Sequence, residues 1–173
     1  MRKAPPDFRN RKRAEGQESV LDAIDRRILD RLQRDSTISN QELAEQVGLS
    51  PPACLKRVRA LRSAGVITRT VAILSPEVLG YPMLTVARVK LELPNEAANH
   101  AFEARMAELP RVVQCMTVAG DFDYILLIRS RDVGHYQDFA RRVLKLAPGI
   151  RSYTSEIVLQ VHKATTEVPI DPT

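Results

Sequence analysis

The chain has 173 residues, enough for one compact domain or two small ones, and its 44% hydrophobic and 27% charged residues exclude a disordered or membrane-embedded polypeptide. With no Trp and only 7 Gly, it has little material for an aromatic stacking platform or a Gly-rich phosphate loop. The net charge of +5 is uneven: residues 1–70 carry 15 Lys and Arg against 9 Asp and Glu, and residues 71–173 carry 11 against 12. A basic front joined to a near-neutral back points to a front that meets a polyanion and a back with another task.

Residues 1–20 are polar and basic, without periodicity, and are read as a flexible tail. They have no apolar core, so no signal peptide is expected. No apolar run approaches the ~20 residues that cross a bilayer, so no membrane partner is expected either. Leu21, Ile24, Ile28 and Leu32 then form one helical stripe. Ser39 followed by Glu42 spells a capping box, and Ile38 with Leu43 a hydrophobic staple, so a second helix starts here and ends at Gly48. Ser50 offers the next N-cap and Pro51 suits the first helical position, which predicts a third helix from Pro51 to about Ser63. Two helices joined by a short turn, with a third before them, make a helix-turn-helix over residues 21–66.

On a helical wheel Cys54, Leu55, Val58 and Leu61 of the third helix face a core. Pro52, Ala53, Lys56, Arg59 and Ser63 lie opposite, with Arg57 on the flank. A face that is small at its tip and basic further along suits the major groove of double-stranded DNA. The expected contacts are Ser50 and Pro51 at the helix start, Pro52, Ala53 and Lys56 at base edges, and Arg57, Arg59 and Arg69 at phosphates.

Val66–Leu74 is β-branched and reads as a strand, inside a linker placed at 67–82. From 83 to 163, strand and helix alternate as βαββαβ, a ferredoxin-like split sheet. Residues 164–173 are left as a C-terminal tail. The segment Tyr124–Ile128 is apolar on both faces and predicts a central strand covered on both sides. Both helices of this topology lie on one face, so the other needs a partner, and a homodimer follows. The fold class is therefore α+β, a helix-turn-helix followed by a βαββαβ domain.

Cys54 and Cys115 are far apart and make no metal set; both read as small buried hydrophobes in a reducing, cytoplasmic setting. His100, His135 and His162 are scattered. No nucleophile has a nearby base and acid in sequence, so no metal, cofactor or catalytic residue is expected. Ala119–Asp123 reads as a hairpin loop. Its Gly120 and Asp121 serve turn chemistry, an anion nest for an effector carboxylate, or both. Asp121 or Asp123 would then meet an ammonium. Thr154 and Ser155 in the last strand read as sheet-facing polar residues with a lesser case for a ligand role.

These residues resemble the Lrp/AsnC family of transcription regulators over roughly 21–163. The resemblance rests on Leu21–Leu29, Ser39–Ala44, Val47–Pro51, Cys54–Val58 and Gly65–Ile67, and on Val118–Tyr124 and Thr154-Ser155 in the second half. It implies a winged helix-turn-helix and a βαββαβ domain that assembles dimers into rings, often octamers. It also implies a small effector, commonly an amino acid, bound between subunits near the Gly-Asp turn. The chain departs from the family pattern at Ala119, often Thr, and at Met116, often His or Tyr. Two rival readings remain: a tetrapyrrole-modifying decarboxylase that shares the fold, and a DNA-architectural protein without an effector.

Overall fold

A computed structural model describes residues 21–93, 95–145 and 147–171. The basic tail expected at 1–20 lies outside the described residues. The described chain forms two compact units: one runs up to Ala72 and takes in the segment from Ala164 onward, and the other is Ile73–Lys163.

The first unit is built on three helices, α1 (Ala23–Arg34), α2 (Asn40–Val47) and α3 (Pro51–Ser63). Each begins at a residue held in extended backbone: Asp22, Ser39 and Ser50. The Ser39 hydroxyl accepts from the Glu42 N–H at 3.2 Å, and the Glu42 carboxylate accepts from the Ser39 N–H at 3.1 Å, which completes the expected capping box. Asp22 and Asp25 form a second box at the start of α1 that the apolar stripe alone does not reveal. Ser50 occupies the N-cap of α3 but its side chain makes no capping bond. Gly48 ends α2 at φ 73°, a left-handed conformation that a Cβ would disfavour. Ile28, Leu43, Ala44, Val47, Cys54, Val58 and Leu61 fill the core between the helices.

Leu55 departs from the wheel: it is 36% exposed. One residue of helix turns the side chain by about 100°, so Leu55, next to the buried Cys54, falls on the flank.

The predicted strand Val66–Leu74 does not form. The N–H groups of Val66 and Ile67 both close back on the Leu61 carbonyl, and the segment beyond has no neighbouring strand among the described residues. Its β-branched residues favour an extended backbone, but a strand requires a hydrogen-bonded partner. Val71, Ile73 and Leu74 therefore stay exposed.

In the second unit the chain runs β1 (Met83–Leu91), α4 (Glu96–Ala107), β2 (Val112–Thr117), β3 (Tyr124–Ser130), α5 (Val133–Phe139) and β4 (Ile150–Ile157). A π-helical turn, Ala140–Lys145, continues α5. The sheet order is β2-β3-β1-β4, with every neighbouring pair antiparallel, so β3 is an interior strand as expected. Thr85, Ala87 and Val89 of β1 and Tyr124, Leu126 and Ile128 of β3 are buried on one face, beside Phe102 and Met106 of α4 and Tyr136 and Phe139 of α5. The alternate residues, among them Val86, Ile125 and Leu127, turn to the opposite face and are half-buried.

Candidate functional site

The outer face of α3 is open. Pro51, Pro52, Lys56, Arg59 and Ser63 are exposed and Ala53 is half-buried, while Cys54, Val58 and Leu61 on the inner face are at most 6% exposed. The helix is therefore fixed by its apolar side, and its outer face offers Lys56, Arg59 and a small tip to solvent. Arg69, in the extended segment that follows, is also exposed.

Arg57 is placed differently from the expectation that grouped it with phosphate contacts. Its Nη1 donates to Asp22 Oδ2 at 2.6 Å and to Asp25 Oδ1 at 2.9 Å. The N–H of Asp25 and this guanidinium together hold the Asp22 carboxyl below its usual range, and the two carboxylates hold the guanidinium above its own. Arg57 is thus a strut from α3 to the first turn of α1.

Asn40 makes a tie between helices that the sequence spacing does not reveal. It sits at the first position of α2, and its Nδ2 donates to the Pro51 carbonyl at 2.9 Å, which ties α2 to the start of α3. The available signal was a polar side chain just inside a helix whose neighbour begins after a three-residue turn.

In the other unit, the loop between β2 and β3 holds Ala119, Gly120 and Asp121, all exposed, with Gly120 at φ 147°. The loop is closed by Val118 N–H on the Asp123 carbonyl, 3.0 Å. Asp123 faces inward: its N–H donates to the Val89 carbonyl at 3.0 Å, and its Oδ2 accepts from the Leu91 N–H at 2.7 Å. It anchors the loop to β1, which leaves Asp121 as the carboxylate at the tip. Thr154 and Ser155 fall on opposite faces of β4. Thr154 pairs with Arg88 on the open face, whereas Ser155 pairs with Ala87 and its hydroxyl hydrogen-bonds Tyr136 OH at 2.5 Å, beneath α5. The two are not brought into one site.

Cys54 is buried, as expected; Cys115 is exposed on β2. Its partner Leu126 faces the helices, and partial burial of the thiol together with the Glu103 carboxylate pushes its pKa up to about 11, far from a reactive thiolate. Among the described residues no group of three or more His, Cys, Asp or Glu is arranged to hold a metal ion, and no helix is long and apolar enough to cross a membrane.

Residues 21–68 match the winged helix-turn-helix DNA-binding family, and residues 85–168 the Lrp/AsnC ligand binding domain. The chain is 38% identical over 146 residues to the leucine-responsive regulatory protein of Haemophilus influenzae, spanning 84% of this chain and 88% of that one. It belongs to the Lrp/AsnC family of transcriptional regulators. Among solved structures, it is similar to a transcriptional regulator of Neisseria meningitidis in complex with L-Met, with a TM-score of 0.84, 32% identity, and coverage of 87% of this chain and 97% of that one. It is also similar to a feast or famine regulatory protein of M. tuberculosis complexed with L-methionine, with a TM-score of 0.76, 29% identity, and coverage of 87% and 99%. The helix-turn-helix unit, matched to the winged helix-turn-helix family, followed by a four-stranded ferredoxin-like sheet with helices, is the Lrp/AsnC fold, and the chain is a DNA-binding regulator of this type.

Proposed function

We propose that this Lrp/AsnC regulator reads duplex DNA with the outer face of α3, and that an amino acid bound near the Gly120-Asp121 turn sets how it does so. The observation that carries the DNA contact is the two-sided character of α3: a buried apolar side, and an exposed side with Lys56 and Arg59 behind the small tip Ser50, Pro51, Pro52 and Ala53. Arg59 and Arg69 serve phosphates; Lys56 is placed to reach base edges.

The effector reading is supported by the L-Met bound to the Neisseria regulator and the L-methionine bound to the mycobacterial one. In this chain, Gly120 with Asp121 at an exposed loop tip supplies backbone N–H groups for a carboxylate and one carboxylate for an ammonium. Assembly through the half-buried open face of the sheet, first as a dimer and then as an octamer, would place such turns between subunits. The setting that suits a DNA-binding regulator is the cytoplasm. The regulators among the relatives favour this reading over the tetrapyrrole decarboxylase, which would reveal itself by a Soret band on mixing with porphyrin.

The test is Lys56→Ala with Arg59→Ala, assayed on a duplex carrying a selected site and on random duplex. Loss of a base contact should weaken specific binding by roughly 1–3 kcal/mol, and each lost phosphate contact should flatten the salt dependence by about one. Wild-type affinity for both duplexes would remove this face from DNA recognition. Calorimetric titration of wild type and Asp121→Ala with each of the twenty amino acids tests the effector site; equal affinity in both would remove Asp121 from it.

A further inference from the structure

We propose that Arg57 is a positioning residue for DNA reading: through Asp22 and Asp25 it fixes the angle at which α3 presents Lys56 and Arg59, and it does not itself bind phosphate. The inference rests on the reading that the outer face of α3 meets DNA.

The geometry has three parts. Asp22 is already oriented before Arg57 arrives, because its Oδ1 accepts from the Asp25 N–H at 2.7 Å as the N-cap of α1. Asp25 is oriented in turn, its Oδ2 lying 3.4 Å from the Asp22 N–H. Arg57 Nη1 then reaches both carboxylates, at 2.6 and 2.9 Å, and its side chain is 34% exposed. Two preset carboxylates on α1 thus receive one guanidinium from α3.

Two consequences follow. The cluster of one guanidinium and two carboxylates carries a net negative charge, so a phosphate gains little by approaching it and would have to displace short charge-assisted bonds. The remaining α1–α3 packing runs through apolar residues such as Ile28, Val58 and Leu61, whose attraction is proportional to area and has no preferred direction. The guanidinium pair supplies the direction. Base-edge hydrogen bonds demand a fixed placement of α3, whereas non-specific binding demands only positive charge near the backbone. Loosening the strut should therefore cost specific binding and spare non-specific binding.

The experiment uses the full chain, a duplex selected from a random pool by the wild type, and a random duplex, each titrated over a series of salt concentrations. Arg57→Lys keeps the charge but carries it one bond nearer the backbone than the Nη1 that bridges the two carboxylates. Asp22→Asn keeps a good N-cap but loses the ionic partner. Both variants should lose roughly tenfold on the selected site, a typical effect of one disturbed base-pair contact. Both should hold random duplex as well as wild type does, with an unchanged salt slope. The double variant should lose little more than either single one.

If the Arg57→Lys and Asp22→Asn affinities on the selected site equal wild type, the proposal is overturned. An Arg57→Ala protein with a slope lower by about one and equal losses on both duplexes identifies a phosphate contact instead, and also overturns it. An equal loss on both duplexes with an unchanged slope assigns the pair to holding the fold only, again against positioning. The Lys56 and Arg59 double variant separates the two levels: if it binds both duplexes as wild type does, the DNA face itself is wrong rather than the strut.

Discussion

The two units hold their functional groups in different ways. In the helical unit, seven buried residues make a small core, and polar contacts gather at the helix starts: Arg57 with Asp22 and Asp25 and Asn40 with the Pro51 carbonyl join one helix to another, and Ser39 with Glu42 caps α2. In the sheet unit, a continuous apolar layer from Ala87 to Leu144 lies under α4 and α5, and backbone ladders between four strands fix every register. The loop at Gly120 is carried by those ladders, with Asp123 as its one side-chain anchor to β1. A unit with a small core and directional clips responds to polar substitutions; a unit with a large core responds to loss of volume.

The largest effect should come from the sheet core. Leu126 is 0% exposed at the centre of the layer. Leu126→Ala should destabilise the sheet unit by about 2–5 kcal/mol, through lost transfer energy and a residual cavity. All four tyrosines, at 81, 124, 136 and 153, lie in this unit and the chain has no Trp, so tyrosine fluorescence in urea reads this unit alone. A loss under about 1 kcal/mol would contradict the contrast.

The next residue along the strand sharpens it. The two-faced strand predicted a subunit contact, and the register shows that Leu126 and Ile128 face the helices while Ile125 and Leu127 face away. Leu127→Lys should leave the tyrosine unfolding curve nearly unchanged yet shift sedimentation to lighter species, because an ammonium buried at an interface without a partner is costly. A Leu127→Lys protein that sediments with wild-type mass would show that the open face is not the subunit contact.

In the helical unit the corresponding change is polar. Ser39→Ala should cost about 1 kcal/mol, followed by helical ellipticity rather than tyrosine emission. The hydroxyl and N–H of Ser39 hold the Glu42 carboxyl below its ordinary value. A carboxyl with a lowered folded pKa adds stability above its unfolded pKa, and that stability fades as pH falls through the folded value. The gap between wild type and Ser39→Ala should therefore narrow below about pH 4. A gap that is constant from pH 7 to pH 3 would mean that the cap acts through its backbone geometry alone.

What was legible in the sequence follows from range. Ser39 and Glu42, Gly48, and Pro51 act within one helical turn, so spacing alone revealed them. The βαββαβ order was legible because alternation and helix caps are local. The ties of Arg57 were not legible because its partners lie 35 and 32 residues away, a distance that no wheel of α3 can show. Thr154 and Ser155 are neighbours in one strand and so face opposite ways, but only the register with β1 reveals which of them lies beneath the helices. Val66–Leu74 has the composition of a strand but no neighbour to pair with among the described residues, and composition does not report neighbours.

The smallest expected effect concerns the segment from Ala164, which the sequence left as a tail and which groups with the helical unit. Val168 N–H donates to Gln33 Oε1 on α1 at 3.0 Å, while the Val168 side chain remains 67% exposed. An exposed hydrogen bond competes with water, so its net worth lies at or below the low end of the usual 0.5–1.5 kcal/mol. Gln33→Ala should therefore leave helical stability within about 0.5 kcal/mol of wild type. The sensitive observable is the Val168 amide itself: its hydrogen exchange should be slowed in wild type and approach the free-chain rate in Gln33→Ala. Equal exchange in the two proteins would mean that the side chain of Gln33 does not hold the segment, and the helical unit would then end its polar clips at Arg57 and Asn40.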